Sequence, residues 1–166
     1  LVRGGRAVLA VEGNQTDVMF TARDSAGDFV DAFESGGGQP PTAHLAAGNY
    51  SLVLRSKSVA AQSIPFVVRE GETTQVPVKL GTGIRQAFEF ESRSGIPAWS
   101  QLTIRRGKEL LTTAPVSQRD AQSGTGEVCL LPGDYRVLVS AEGRELASAP
   151  FTVGTAEGPP LRIVLQ

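Results

Sequence analysis

An all-β fold, arranged as two tandem antiparallel β-sandwich domains of about 80 residues each, is what this 166-residue chain predicts. Three observations predict it. Apolar residues alternate with polar ones at a period of two, the pattern of strands with one buried face. Turn signals recur about every 8–12 residues, the spacing of short strands in a sandwich or barrel. The second half of the chain also repeats the first, and fixed-period self-similarity outranks local pattern in deciding architecture.

Taken in order, Arg6–Glu12 alternates into Glu12 and reads as the first strand, closed by Glu12-Gly13-Asn14. Ser25-Ala26-Gly27 and Gly36-Gly37-Gly38 are turns. Leu45-Ala-Ala-Gly48-Asn-Tyr50 leads into a strand over residues 50–56, in which Tyr50, Leu52 and Leu54 share a face. Ser58–Gln62 is expected to make one helical turn; no longer stretch carries a helical stripe. Ile64, Phe66 and Val68 alternate, as do Val76, Val78 and Leu80, with Glu70-Gly71 between them.

Gly81-Thr82-Gly83 is a small-residue joint, and the domains are placed at 1–81 and 82–166. Beyond it Phe88 and Phe90 alternate with Glu89 and Glu91. Turns follow at Ser94-Gly95, Arg106-Gly107, Ser123-Gly124, Pro132-Gly133 and Glu142-Gly143. The repeat is carried by three blocks at one offset of 85 residues. Leu45-x-x-Gly48-x-Tyr50 matches Leu130-x-x-Gly133-x-Tyr135, Pro65-Phe66 matches Pro150-Phe151, and residues 76–80 match 161–165. The first strands, 6–12 and 84–90, match only in character, so a small insertion or deletion must fall between them and these blocks. Six or seven strands per half are expected. In each Gly-x-Tyr block the glycine frees the backbone for a turn. The tyrosine then starts a strand with its ring in the core and its hydroxyl reaching back to the loop, the logic of a tyrosine corner. Pro65 and Pro150 mark edge strands or strand starts, because proline cannot donate to a central ladder.

Composition removes several functions. Sixteen basic and 17 acidic residues leave a net charge of −1, which argues against nucleic acid or an anionic membrane as main partner. One cysteine, Cys129, forbids an intramolecular disulfide and a cysteine zinc site. One histidine, His44, forbids a metal site with two or more histidines, and no G-x-S-x-G elbow accompanies it. Phosphate-cradling and dinucleotide glycine loops are absent. No apolar run approaches the ~18 residues of a membrane span. The chain starts at Leu1, as expected of a segment of a longer protein.

Residues 126–143, GEVCLLPGDYRVLVSAEG, resemble the carboxypeptidase regulatory-like domain, a transthyretin-like β-sandwich related in shape to immunoglobulin-like modules. Ser94-Gly-Ile-Pro97 is similar to its earlier Gly-x-Pro segment, whereas Trp99–Ile104 departs from the strand that follows it there. The first half keeps Leu45, Gly48 and Tyr50 but has Ala46-Ala47 where prolines would stand. The resemblance implies a non-catalytic accessory module of an exported, extracellular or periplasmic, cell-envelope protein. It transfers no functional residue.

Few side chains invite a functional reading. Trp99, the lone tryptophan, is either an aromatic platform for a sugar ring or a peptide, or a partly buried loop residue capping one sandwich end; burial is the plainer expectation. Tyr50 and Tyr135 are assigned structural, corner-like roles. Asp24, Asp28 and Asp31 fit a turn better than a calcium loop, since D-x-[DN]-x-[DN]-G is not met. Asp120 and Glu127 flank a second polar loop, and Arg105, Arg106 and Lys108 make a solvated basic turn. Glu89 and Glu91 share a strand face and suit solvent. Cys129 alternates with Val128 and Leu130 in a strand and is expected to be structural; His44 aligns with it in the repeat, and unlike residues there indicate a tolerant surface or edge position and no shared catalytic one. No catalytic, metal or cofactor residue is assigned. The reading is a non-catalytic tandem module, a structural spacer or a protein-interaction domain whose partners are flanking domains or another protein, without nucleic acid and without membrane insertion. The alternative is a carbohydrate-binding module attached to an enzyme or adhesin.

Overall fold

A computed structural model describes residues 3–13 and 17–166. Those residues form fifteen strands and no helix. They fall into two compact units, 1–54 with 62–81, and 55–61 with 82–166.

Unit 1 contains β1 (Gly4–Glu12), β2 (Met19–Arg23), β3 (Phe29–Ala32), β4 (Thr42–Ala46), β5 (Gly48–Arg55), β6 (Ser63–Val68) and β7 (Thr73–Lys79). They build two sheets, in the orders β3-β2-β5-β6 and β4-β1-β7. The alternation seen in the sequence sets which face is inside. Leu52 and Leu54 of β5, Phe66 and Val68 of β6, and Val76 and Val78 of β7 are buried, together with Leu9, Phe20 and Leu45. Each such side chain contributes roughly 1.5–3 kcal/mol on full burial.

Unit 2 contains β8 (Ile84–Glu91), β9 (Gln101–Arg106), β10 (Glu109–Pro115), β11 (Ser117–Gln118), β12 (Ser123–Leu130), β13 (Gly133–Ala141), β14 (Arg144–Val153) and β15 (Leu161–Val164). Its sheets run β10-β9-β13-β14 and β11-β12-β8-β15. Apart from the two-residue β11, this is the strand order of unit 1. Phe88, Phe90, Leu102, Ile104, Leu130, Tyr135, Val137 and Val139 form one core cluster.

The repeat is visible in register. Val78 lies beside Val11, and Ile163, 85 residues on from Val78, lies beside Phe90. Phe90 follows Val11 by only 79, so six residues are added in unit 2 between the first strand and the tyrosine corner. Part of that addition falls in the β8–β9 loop, nine residues against six between β1 and β2. Pro65 and Pro150 sit in β6 and β14, both at sheet edges, where a missing N–H costs no ladder bond.

Two features depart from expectation. The sheets are antiparallel except for one parallel pair in each unit, β1 with β7 and β8 with β15. The partners are the first and last strands of a unit, so the crossover that a parallel pair requires is the rest of the unit itself. Residues 58–62 form no helical turn. Val59 makes an isolated bridge to Thr82, and the Ala61 N–H donates to the Cys129 carbonyl at 2.8 Å. The chain thus leaves unit 1 after Leu54, contributes seven residues to unit 2, and returns at Gln62. Backbone bonding to β12 and the burial of Ala60 and Ala61 hold the segment there, in place of local helical bonds.

Candidate functional site

The two tyrosines occupy closely matched settings. The Tyr50 hydroxyl donates to the Ala46 carbonyl at 2.8 Å, and the Tyr135 hydroxyl to the Leu131 carbonyl at 2.7 Å, each four residues back. Tyr50 packs on Phe66 with ring centroids 5.7 Å apart, and Tyr135 on Phe151 at 5.7 Å. Unit 2 adds a cation. Arg106 lies over the Tyr135 ring, 5.2 Å from its centroid, and donates to its hydroxyl at 3.1 Å.

That contact divides the basic cluster. Arg106 belongs to the corner, while Arg105 donates to the Lys108 carbonyl at 3.4 Å. No anion-binding cup results. The aspartates of the β2–β3 loop serve their turn. Asp24 accepts the backbone N–H groups of Ala26 and Asp28, each at 2.9 Å, and Asp31 accepts that of Ala32 at 2.8 Å. Burial pulls the Arg23 pKa down from its ordinary value, against the pull of Asp28 and Asp24. Its guanidinium lies 5.7 Å from the centroid of the Phe29 ring. Asp120 caps the β11–β12 loop, accepting the Ser123 hydroxyl at 2.6 Å and the Gln122 and Ser123 N–H groups at 2.8 Å. The Ser123 hydroxyl, then the Gln122 N–H, hold its carboxyl below the usual range.

Glu127 pairs with Arg85, which also reaches Glu157, and Glu89 pairs with Arg162 and Arg119. Hydrogen bonding to Glu127, and then its charge, raise the Arg85 pKa further. All of these lie on solvated strand faces and loops. Among the described residues, no group of three or more His, Cys, Asp or Glu side chains could hold a metal ion. Among those residues no helix is long and apolar enough to cross a membrane.

His44 and Cys129 do not share an environment. His44 is exposed on β4 opposite Arg6, whereas Cys129 is buried. The structural reading of Cys129 agrees with its burial, whereas a surface position, which suits His44, does not extend to it. The segment 55–61 lies over it, and a Cβ on Gly83 would stand 2.5 Å from its Sγ.

Trp99 departs furthest from the plainer reading. It does not cap a sandwich end from within: 90% of it is exposed. Its backbone is also left-handed, with φ 61°. A bulky residue in that region costs on the order of 1–3 kcal/mol and persists only where its surroundings impose it. They do so here. Ile96, 6% exposed, donates its N–H to the Ala121 carbonyl at 2.9 Å. The Gln118 side chain donates to the Ile96 carbonyl. The Ser100 hydroxyl, itself buried, donates to the Pro97 carbonyl at 2.6 Å, and the Ser100 carbonyl accepts the Val116 N–H at 2.9 Å. Both sides of Trp99 are anchored while its indole is left in water. Among the described residues, the one other non-glycine residue with positive φ is Glu142, at 51°, in the β13–β14 turn. Glu142-Gly143 is the turn that the sequence marks there.

No family profile matches the chain, and no curated protein does. Several solved structures are similar in shape. The Bacillus anthracis TIE protein matches at 12% identity and a TM-score of 0.40, over 99% of this chain and 34% of that one. A streptococcal ancillary pilin matches at 12% identity and a TM-score of 0.32, over 99% and 63%. A DUF3823 family protein of Bacteroides ovatus matches at 11% identity and a TM-score of 0.37, over 90% of this chain and 97% of that one. The chain spans about a third of the length of the TIE protein.

Proposed function

We propose that the chain is a non-catalytic tandem β-sandwich module of a larger exported or cell-envelope protein, of the carboxypeptidase regulatory-like type, acting as a spacer or as a docking domain for flanking domains or a protein partner. The observation that carries this reading is the duplication of one β-sandwich scaffold. Each unit has the same strand order, its own buried core and its own tyrosine hydroxyl bonded back to the loop four residues before it. Duplicating a scaffold while its polar side chains remain in turns and surface ion pairs is what a structural role requires. A fold of this class hosts many functions, so the argument rests on how the side chains are employed. The titratable groups cited above are spent on Asx turns, a cation stacked on a ring, and exposed pairs worth little individually.

The experiment is a turnover screen of the full chain against chromogenic esters, glycosides, phosphoesters and peptides, with divalent cations added and withheld. No turnover above buffer is expected. Turnover that co-purifies with the chain and is lost in a single point variant would overturn the reading.

A further inference from the structure

We propose that the open edge of β15 in unit 2 is a self-association surface, and that its occupant is the same edge of a second copy of this chain, joined as an antiparallel β15–β15 pair. This goes beyond the module reading and does not depend on it.

The first ground is a difference between the two repeats. β7 and β15 are counterparts, each the last strand of its unit and each paired on one side with the first strand. At the end of β7 the Leu80 N–H donates to the Glu12 carbonyl. By backbone alternation Val76 and Val78 then face β1, and Pro77 faces away from it. The 85-residue offset sets Arg162 at the place of Pro77. Proline removes an outward N–H and blunts an edge, whereas arginine keeps the donor. At the end of β15 the Leu165 N–H donates to the Glu91 carbonyl. Ile163 therefore faces β8, and the N–H and C=O groups of Arg162 and Val164 point outward along the edge. Among the described residues, no strand pairs with that side of β15.

The second ground is that this edge fits itself. Antiparallel pairing about Ile163 sets Arg162 of each copy against Val164 of the other and engages every outward N–H and C=O of both residues. The other symmetric registers are poorer. Pairing about Arg162 opposes like charges and brings Val164 against Pro160, which has no N–H to give. Pairing about Val164 brings Arg162 against Gln166, whose N–H is already donated to the Leu146 carbonyl.

The side chains match in the same register. Arg162 lies beside Glu89 and Val164 beside Glu91, on the face opposite the buried Ile163. The Arg162 side chain is 77% exposed and Val164 68%, so both stand open to a neighbour. Glu91 is exposed and has no ion-pair partner among the described residues. In the pair, the methylene stem of each Arg162 lies along the apolar Val164 of the other copy. Its guanidinium then reaches Glu91 of that copy, one strand spacing of ~4.8 Å further on. Two such Arg162–Glu91 pairs form, and the sheets β11-β12-β8-β15 of the two copies become one. A four-residue edge buries well under the ~800 Å² per partner of a standard interface, so the association is weak and reversible.

The test is sedimentation velocity of the full chain from about 10 μM to about 1 mM, with dithiothreitol present so that Cys129 cannot link copies. A weight-average mass that rises with concentration towards that of a dimer is expected. Arg162→Pro, which copies the residue of β7, and Val164→Lys should each weaken association about tenfold or more while keeping the parent Tm. Arg162→Glu and Glu91→Arg should each be monomeric alone, because each homodimer would oppose like charges. Mixed one to one they should associate as the parent does, since both cross-copy pairs then have opposite signs. A variant that had merely lost its fold could not give that recovery. A parent that stays monomeric throughout, a dimer that Arg162→Pro or Val164→Lys leaves unchanged, or a mixture that stays monomeric overturns the proposal. A monomer would leave the turnover screen, and the module reading it tests, as they stand.

Discussion

The Tyr135 hydroxyl is used twice, donating to the Leu131 carbonyl and accepting from Arg106. Tyr50 makes the first of these bonds, to the Ala46 carbonyl, in a less buried setting. The net worth of such a bond grows with the burial of the groups that make it. Tyr135→Phe should therefore destabilise unit 2 by roughly 1–2 kcal/mol, and Tyr50→Phe should cost about 0.5–1 kcal/mol, as measured by chemical denaturation. Gly83 gives a steric counterpart. A Cβ there would meet Cys129 Sγ at 2.5 Å and the Ala60 backbone at 2.9 Å. Since the backbone cannot swing aside as a flexible side-chain tip can, Gly83→Ala should cost roughly 1–3 kcal/mol. The corner was legible in the sequence because its two halves share one register. The need for glycine at 83 was not, because its neighbours come from residues 60 and 129, far along the chain.

Among the elements, the β13–β14 hairpin offers a clear gain. Ala141 pairs with Arg144, leaving Glu142-Gly143 as a two-residue turn with φ of 51° and 75°. Positive φ at both central positions is the type I′ arrangement, for which Asn-Gly is favoured. Glu142→Asn should raise stability by about 0.5–1 kcal/mol, because asparagine tolerates the left-handed region better. A fall in the denaturation midpoint would contradict this. The β11–β12 loop carries a pH dependence. Asp120 is held below its ordinary value of 3.8, chiefly by the Ser123 hydroxyl. A depressed carboxylate stabilises above its unfolded pKa, and that contribution is lost as pH falls through the lower, folded value. The advantage of the parent over Asp120→Ala should hold near neutrality and shrink as pH drops below about 4, seen in denaturation series at stepped pH. Strands were legible because alternation is local, whereas the parallel pairs β1–β7 and β8–β15 were not, since pattern gives faces and leaves direction open.

For the whole molecule, the consequence of 55–61 belonging to unit 2 can be read at Cys129. The thiol is buried, and the Ala61 N–H donates to the carbonyl of the same residue. A thiol reagent should label the native chain no faster than it opens. A chain limited to residues 82–166, lacking the segment, should label faster than the full chain, as should Gly83→Val. Equal rates in all three would show that the segment does not protect the cysteine.

Composition, alternation and the 85-residue repeat were enough to state the class of fold, the duplication, the edge prolines and the corner tyrosines, because each is a periodicity or a local preference. The burial of Cys129, the placement of 55–61 and the outward indole of Trp99 could not be read that way. Each depends on which distant strands become neighbours. A tryptophan is usually drawn inside by its large apolar area. Here the buried anchors on either side of Trp99 and the strand ends beside it leave the ring no core to enter, and that outcome is a property of the packed chain.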